Sequence, residues 1–328
     1  MSEAEKDLKK VINELEKKYG EGVVLTDGDS HNVKALSTGC FAIDSLLGCG
    51  GLPVGRLMEV YGEESSGKSS ACLFFAGQIQ KQGGKILYID VEQTYDQKYA
   101  AKLGVDTGPN HFYVSQPSTL EETMDILRSF ILTNHFDLII VDSVAAMVPK
   151  ADFEDGALEK DSVAVKARLM SKYLPVLASE VAASKTVVIF INQTRANIGV
   201  YYGPKDTTPG GKSLKFFCSV RLSVTKGTAI KRGDEQVGNS LRIVAKKNKV
   251  GIPYREGTMD LYFGEGVDLI SDTLDFGVKM GVIALAGNTY SYGETKLGVG
   301  KEKVKEALRS DEAMLAKIRE EIYSKIKS

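Results

Sequence analysis

The sequence predicts an α/β fold built on a mostly parallel central sheet, and three observations predict it. Near-continuous apolar runs, KILYIDVE (85–92), DLIIVDS (137–143) and TVVIFINQ (186–193), end in acids or amides, as strands buried on both faces do. Stretches of helical period, TLEETMDILRSFILTN (119–134) and ARLMSKYLPVLASEVAA (167–183), lie between them as crossovers. A β-prone run, RLMEVY (56–61), leads into the loop GEESSGKSS (62–70) and on into ACLFFAGQIQKQ (71–82), which has helical spacing. In a sheet of this kind the chemistry gathers at the carboxyl ends of the strands.

The elements follow in order. Leu8, Val11, Ile12 and Leu15 recur at helical spacing, so the chain opens on an amphipathic helix. Its apolar stripe needs cover from its own core or from a neighbouring subunit. Gly20, Gly22, Asp27 and Gly28 break the chain behind it, and VVL (23–25) reads as a short strand between the breaks. From Leu36 to Gly266 strands and helices alternate, and Pro175 is expected to kink or interrupt the second crossover helix. A smaller mixed segment comes next, and KEKVKEALRSDEAMLAKIREEIYSKI reads as terminal helices. The expected division is an N-terminal helix and polymerisation segment (1–34), a core (35–266) and a small C-terminal α/β lobe (267–328).

Composition narrows the function classes. The 328 residues are 43% hydrophobic and 26% charged, the balance of a globular protein with about two domains. No apolar run approaches the ~20 residues of a membrane helix, and MSEAEKDLKK lacks the apolar centre of a signal peptide, so a cytoplasmic protein is expected. Cys40, Cys49, Cys72 and Cys218 stand at unrelated spacings, which argues against a zinc site or a disulfide framework. The net charge of −1 hides an asymmetry: residues 221–249 hold eight Lys/Arg against two Asp/Glu. Residues 150–162 are the opposite, with five acids against two lysines. Either run alone reads equally well as a solvated face.

The loop carries the sharpest signal. Gly62, Gly67, Lys68 and Ser69 fill G-x-x-x-x-G-K-[ST], and Glu63, Glu64, Ser65, Ser66 and Ser70 complete the cradle. Its backbone N–H groups and the following helix N-terminus suit phosphate, with Lys68 reaching the β/γ-phosphates and Ser69 ligating Mg²⁺. Asp142 closes LIIVD, the place for an acid that holds the metal through its water shell. Glu92, after IDV, is placed to deprotonate an attacking water, a role that separates a hydrolase from a phosphotransferase. Gln193, after IFIN, is an amide placed to sense the γ-phosphate.

At this point the resemblance is close. STGCFAIDSLLGCGGLPVGRLMEVYGEESSGKSS, ILYIDVEQTYDQKYAAKLGVD, DLIIVDSVAAMVPKADFE, FINQTRANIGV, TPGGKSLKFFCSVRL and KKNKVGIPY all resemble the bacterial RecA recombinases. The match continues through LYFGEGVDLISDTLDFGV and TYSYGETKLGVGK, nearly the whole chain. The resemblance implies a RecA-like P-loop NTPase core and a protein that forms a helical filament on single-stranded DNA. ATP would lie between neighbouring subunits, homologous double-stranded DNA would be paired, and strands exchanged. It makes Glu92 the hydrolytic glutamate, with Asp96 and Tyr99 holding and stacking on adenine. Lys247 and Lys249 would reach ATP across the subunit interface. Gln193 would couple ATP to the DNA loops, and Phe216 would carry the same signal at the subunit contact.

The same resemblance implies two DNA segments. The first runs from Asp152 to Val163 and is followed by Arg168 and Ser171. The second runs from Arg195 to Lys212 and contains Asn197, Ile198, Gly210 and Gly211. Arg195 and Lys212 can neutralise phosphates, glycine N–H groups can approach them, and Ile198 can wedge between bases. Nothing there reads base edges, so sequence would be compared by base pairing.

Departures from the family pattern are expected to matter locally. Glu63 replaces a usual proline, Pro175 stands at a DNA-contacting arginine, and Val163, Ala164 and Pro209 alter the DNA segments. The chain ends KIKS without an acidic tail, and residues 301–328 hold eight Lys/Arg against six Asp/Glu, suited to gathering duplex. Such divergence would suit a phage-encoded or otherwise unusual relative. Two other readings share parts of the pattern: a hexameric helicase or ring motor with this core, and a non-catalytic ATP-gated scaffold. KKNK and the paired DNA segments disfavour the first, and Lys68 with Glu92 disfavours the second.

Overall fold

The computed structural model describes residues 2–20, 23–24, 33–154, 162–196 and 206–327. Residues 1–33 form one unit and residues 34–328 another. In the first, helix α1 (Glu3–Tyr19) starts at a reciprocal cap. Ser2 Oγ accepts from the Glu5 N–H, and the Glu5 carboxylate accepts from the Ser2 N–H at 2.7 Å. Leu8 and Val11 on its apolar stripe are exposed, and no α1 residue is buried. The short strand expected at 23–25 is not formed at Val23 and Val24, which bend, and Leu25 lies outside the described residues. A strand needs a ladder partner, and no strand is present among the described residues of this unit.

The second unit begins with a ribbon of β1 (Ala35–Leu36) and β2 (Leu52–Pro53) around α2 (Phe41–Leu47). The main sheet draws on β3 (Leu57–Gly62), β4 (Ile86–Asp90), β5 (Phe112–Ser115), β6 (Leu138–Asp142) and β7 (Val187–Gln193). A small ribbon, β8 (Arg195–Ala196) with β9 (Asp206–Thr207), precedes β10 (Val220–Arg232), β11 (Glu235–Asn248), β12 (Glu256–Tyr262) and β13 (Gly266–Val267). The nine-stranded order is β13-β12-β11-β10-β3-β7-β6-β4-β5. Pairing is parallel from β10 to β5 and antiparallel from β10 to β13. The mostly parallel sheet is therefore present, with an antiparallel wing that the apolar runs did not reveal. Alternating burial in β10 stops after Val224, where the hairpin leaves the core and its period fades.

Helices cover both faces. α3 (Lys68–Lys81) and α4 (Gln97–Lys102) lie on one; α5 (Leu120–Thr133) and α7 (Ser162–Ala182) lie on the other, with α6 (Lys150–Glu154) before α7 and α8 (Ser213–Phe217) after it. Strand alternation sorts the core: Ile86 and Tyr88 join Phe74 and Phe75 of α3, whereas Leu87 and Ile89 join Leu127 and Leu177 of α5 and α7. Burying each large apolar side chain contributes about 1.5–3 kcal/mol. Of the two outcomes expected at Pro175, a kink or an interruption, the interruption does not occur, and α7 runs unbroken through it. Pro175 faces solvent while Met170, Leu174, Leu177 and Val181 bury the opposite stripe, which outweighs the lost backbone bond.

The chain ends in α9 (Leu269–Lys279), a three-stranded sheet of β14 (Ala284–Ala286), β15 (Thr289–Tyr292) and β16 (Thr295–Val299), then α10 (Lys301–Ser310) and α11 (Glu312–Lys327). Phe41 of α2 enters the core of this segment. Cys40 provides no side-chain cap for α2. Asp272 of α9 supplies it, accepting from the Phe41 and Ala42 N–H groups at 2.6 and 3.1 Å. Arg319 of α11 donates to the Gly39 carbonyl at 2.7 Å and lies 4.5 Å over the Phe41 ring. The four cysteines are free thiols, three of them buried. Among the described residues no helix is long and apolar enough to cross a membrane.

Candidate active site

Parallel register brings the strand ends level: Gly62 of β3 pairs beside Gln193 of β7, and Asp90 of β4 beside Asp142 of β6. The loop after β3 turns into α3 at Gly67, whose φ of +89° suits a residue without Cβ. Gly62 is required for a different reason. A Cβ there would stand 2.1 Å from the Val224 carbonyl oxygen, because β10 passes close over the loop. The Ser66 hydroxyl is buried and has no partner among the described residues, and the Lys68 ammonium folds back to the Glu63 carbonyl at 2.5 Å. Burial holds the Lys68 ammonium below the usual lysine range, and the nearby Asp142 and Glu92 carboxylates oppose that shift.

Asp142 is buried, and burial raises its carboxyl above the usual range. Hydrogen bonds from Ser69 and Tyr88 oppose this, while the Glu92 and Asp90 charges add to it. The Tyr88 hydroxyl donates at 2.6 Å. A hydroxyl and a costly buried carboxylate meeting beside a phosphate loop form an oxygen-only donor pair that fits a hard divalent cation such as Mg²⁺. Glu92 lies past the end of β4, not on it. The loop that bears it is tied down by Asp90, which accepts from the Thr94 and Tyr95 N–H groups at 3.2 and 3.0 Å. Ser143 donates to Glu92 Oε1 at 2.5 Å, and Gln193 Nε2 stands 3.5 Å from the same oxygen. Lys68, Ser69, Glu92, Asp142 and Gln193, named from four separate stretches, thus share one edge.

Asp96 caps α4, accepting from the Lys98 and Tyr99 N–H groups at 2.8 and 3.1 Å. Tyr99 is 38% exposed and its hydroxyl meets Ser70 Oγ at 2.6 Å, so it is not a core aromatic. A cavity of about 260 Å³ opens here between Lys68, Ser70, Tyr99, Lys226, Leu241 and Phe263. The last three come from the antiparallel wing and were missed in the sequence, as were Tyr88 and Ser143. Ser143 directly follows Asp142, which is a usable signal, but nothing local marks Phe263.

Lys247 and Lys249 lie at the far end of the sheet from the phosphate loop. Lys247 pairs with Arg221, which pairs with Glu59, so it stands roughly 10 Å back along the strands from Gly62. Its ammonium donates to the Lys215 and Phe216 carbonyls at 2.6 and 2.9 Å, and burial together with Lys249 lowers its pKa. Lys249 is exposed, and Phe216 of α8, whose carbonyl Lys247 reaches, is 67% exposed.

The segment 195–212 leaves and returns through tied ends. β8 pairs with β9, Arg195 opposite Thr207. Asn192 Nδ2 donates to Glu59 at 3.0 Å and to the Pro209 carbonyl at 3.0 Å, and Arg221 donates to the fully buried Glu59 at 2.5 Å. Arg168, Arg195 and Lys212 are exposed. Ser171 of α7 meets Ser213 of α8 at 2.5 Å. A side chain added to Gly210 would press on Val144, and one on Gly211 on Ala167. Asn197 and Ile198, and residues 155–161 of the first segment, lie outside the described residues.

Residues 6–268 match the family model of the RecA N-terminal domain and residues 271–327 that of the RecA C-terminal domain. The chain is 44% identical to Protein RecA of Chlorobium chlorochromatii, over 95% of this chain and 89% of that protein. It is 43% identical to Protein RecA of Thermus thermophilus, over 98% and 94%. Among solved structures it resembles the RadB recombinase, with a TM-score of 0.52, 24% identity and coverage of 71% of this chain and 98% of that one. The last likeness bears on fold alone.

Proposed function

The chain belongs to the RecA family, and from that premise we propose that it is an ATP-dependent homologous recombinase. It forms a helical filament on single-stranded DNA, pairs the strand with homologous duplex, exchanges strands, and hydrolyses ATP when DNA is bound. In a cell it works beside the DNA, in the cytoplasm. The observation that carries this reading is the convergence of Lys68, Ser69, Asp142, Glu92 and Gln193 on the sheet edge from which segment 195–212 departs. Residues 1–34 serve as polymerisation segment, 35–266 as the ATPase core and 267–328 as a duplex-gathering lobe.

Residues 62–70 cradle the phosphates and Lys68 swings from the Glu63 carbonyl to the β/γ oxygens. Tyr99 and Phe263 flank the base, and Asp96 holds the helix that bears Tyr99. Ser69 and Asp142 would hold Mg²⁺, which supplies charge neutralisation at the phosphates. Glu92, aimed by Ser143, takes the proton of the attacking water. Gln193 touches the same carboxylate and heads the strand leading to Arg195, so the state of the phosphates and the placing of Arg195, Asn197, Ile198, Gly210, Gly211 and Lys212 are mechanically linked. Arg168 and Ser171 extend that DNA surface. Lys247 and Lys249 sit too far from their own loop to serve it, which supports action on the ATP of a neighbouring subunit, with Phe216 at that contact.

The test is strand exchange between circular single strands and homologous linear duplex with ATP and Mg²⁺. Joint molecules and exchanged product are expected with ATP and not with ADP. Hydrolysis without pairing would overturn the recombinase reading.

A further inference from the structure

Lys166 is a cation in an unexpected place. It lies near the start of α7 with only 9% exposure, and its ammonium donates to the Ala145 carbonyl at 3.0 Å. Ala145 belongs to the 3₁₀ turn Val144–Ala146, directly after Asp142 and Ser143. The same turn touches the base of the second DNA segment, where Gly210 packs by Val144 and Gly211 by Ala167, the neighbour of Lys166. Of the elements around it, the turn offers a carbonyl, the glycine pair is uncharged, and the charge it feels among the described residues is that of Arg195.

A structural reading would make Lys166 a stem filling space with its head on the nearest acceptor. Two features argue for more. A buried ammonium is costly where an aliphatic residue would fill the same space, and the carbonyl it donates to sits on the turn that aims Ser143 at Glu92. We propose that Lys166 is a positioning residue that couples bound DNA to the Glu92 carboxylate. A backbone phosphate at Arg195 strengthens the Lys166–Ala145 hydrogen bond, and the turn so fixed presents the Ser143 hydroxyl to Glu92. The inference rests on reading segment 195–212 as DNA-binding.

The physics is local. Lys166 and Arg195 repel, and a phosphate on Arg195 removes that repulsion and favours the charged lysine. Charged donors make hydrogen bonds roughly twice as strong as neutral ones. Linkage makes the effect reciprocal, so a turn held by catalysis-ready Glu92 also favours phosphate at Arg195. Burial, aided by Arg195, lowers the Lys166 pKa to about 8, which brings its charge within experimental reach.

The experiment measures phosphate release by the full chain with ATP and Mg²⁺, with and without single-stranded oligonucleotide, from pH 6.5 to 9.5. Lys166→Met keeps volume and removes the donor; Lys166→Arg keeps the charge throughout. The expected result is a wild-type DNA stimulation that declines as pH rises past about 8, a stimulation at least fivefold weaker in Lys166→Met at pH 7, and a flat profile in Lys166→Arg. Stimulation of Lys166→Met within twofold of wild type, or an alkaline decline in Lys166→Arg matching wild type, overturns the inference alone. If Lys166→Met does not fold, the comparison of Lys166→Arg with wild type decides. A wild type that DNA fails to stimulate at any pH overturns the recombinase reading and the inference together.

Discussion

Glu92 shows how much a proposed general base depends on neighbours that do no chemistry. Its carboxylate is held by Ser143 at 2.5 Å and approached by Gln193, and its loop is pinned by Asp90. Glu92→Gln is expected to bind ATP yet lose turnover by roughly a hundredfold, as for a general base. Phosphate release beside equilibrium nucleotide binding checks this, and near-wild-type turnover would remove Glu92 from the role. Ser143→Ala leaves the carboxylate in place but less well aimed, so a smaller loss of about tenfold is expected, below the loss of a full general base. Both positions could be read from the sequence only in part. Glu92 is two residues beyond its strand, and its partners come from β6 and β7, a relation that no local window contains.

Two helices show elements kept in place by tertiary contacts against their local preferences. α2 has Cys40 where a capping side chain belongs and borrows Asp272 from α9 instead. Asp272→Ala should lower stability by about 1–2 kcal/mol, read as an earlier urea midpoint at unchanged m-value. An unchanged midpoint would show that the borrowed cap contributes nothing. α7 tolerates Pro175 because its buried stripe holds it. Pro175→Ala, at an exposed position, should restore the missing backbone bond and raise stability by about 1–3 kcal/mol. A lower midpoint there would mean that the proline is part of a bend the packing requires.

At the scale of the whole sheet, the phosphate-loop lysine and Lys247 stand toward opposite ends of the strands. The loop stands at the carboxyl edge of the parallel strands, while Lys247, near the end of β11, and Lys249, just past it, lie toward the opposite edge. Mixing Lys247→Ala with Glu92→Gln subunits should therefore restore hydrolysis at the fraction of interfaces where both intact halves meet. Mixed filaments that assemble yet hydrolyse no faster than either variant would rule out action in trans. Binding of single strands should weaken steeply with salt and be tighter with an ATP analogue than with ADP. Arg195→Ala should flatten the salt slope by about one phosphate, measured by fluorescence anisotropy; an unchanged slope would remove that contact.

The sequence by itself determined where the glycine loop and the strand ends of the candidate site lie, because glycine positions and apolar strand runs are local properties. It also determined the parallel half of the sheet, whose strands are buried on both faces and therefore read as unbroken apolar runs. Only the tertiary structure decided the antiparallel wing from β10 to β13, since its hairpin leaves the core and loses its period after Val224. That wing brings Lys226, Leu241 and Phe263 over the loop. The tertiary structure likewise decided the partners of buried polar groups: Tyr88 for Asp142, Asn192 and Arg221 for Glu59, Ala145 for Lys166. Such partners are chosen by whichever group the fold brings within hydrogen-bond reach of a polar atom that water no longer satisfies.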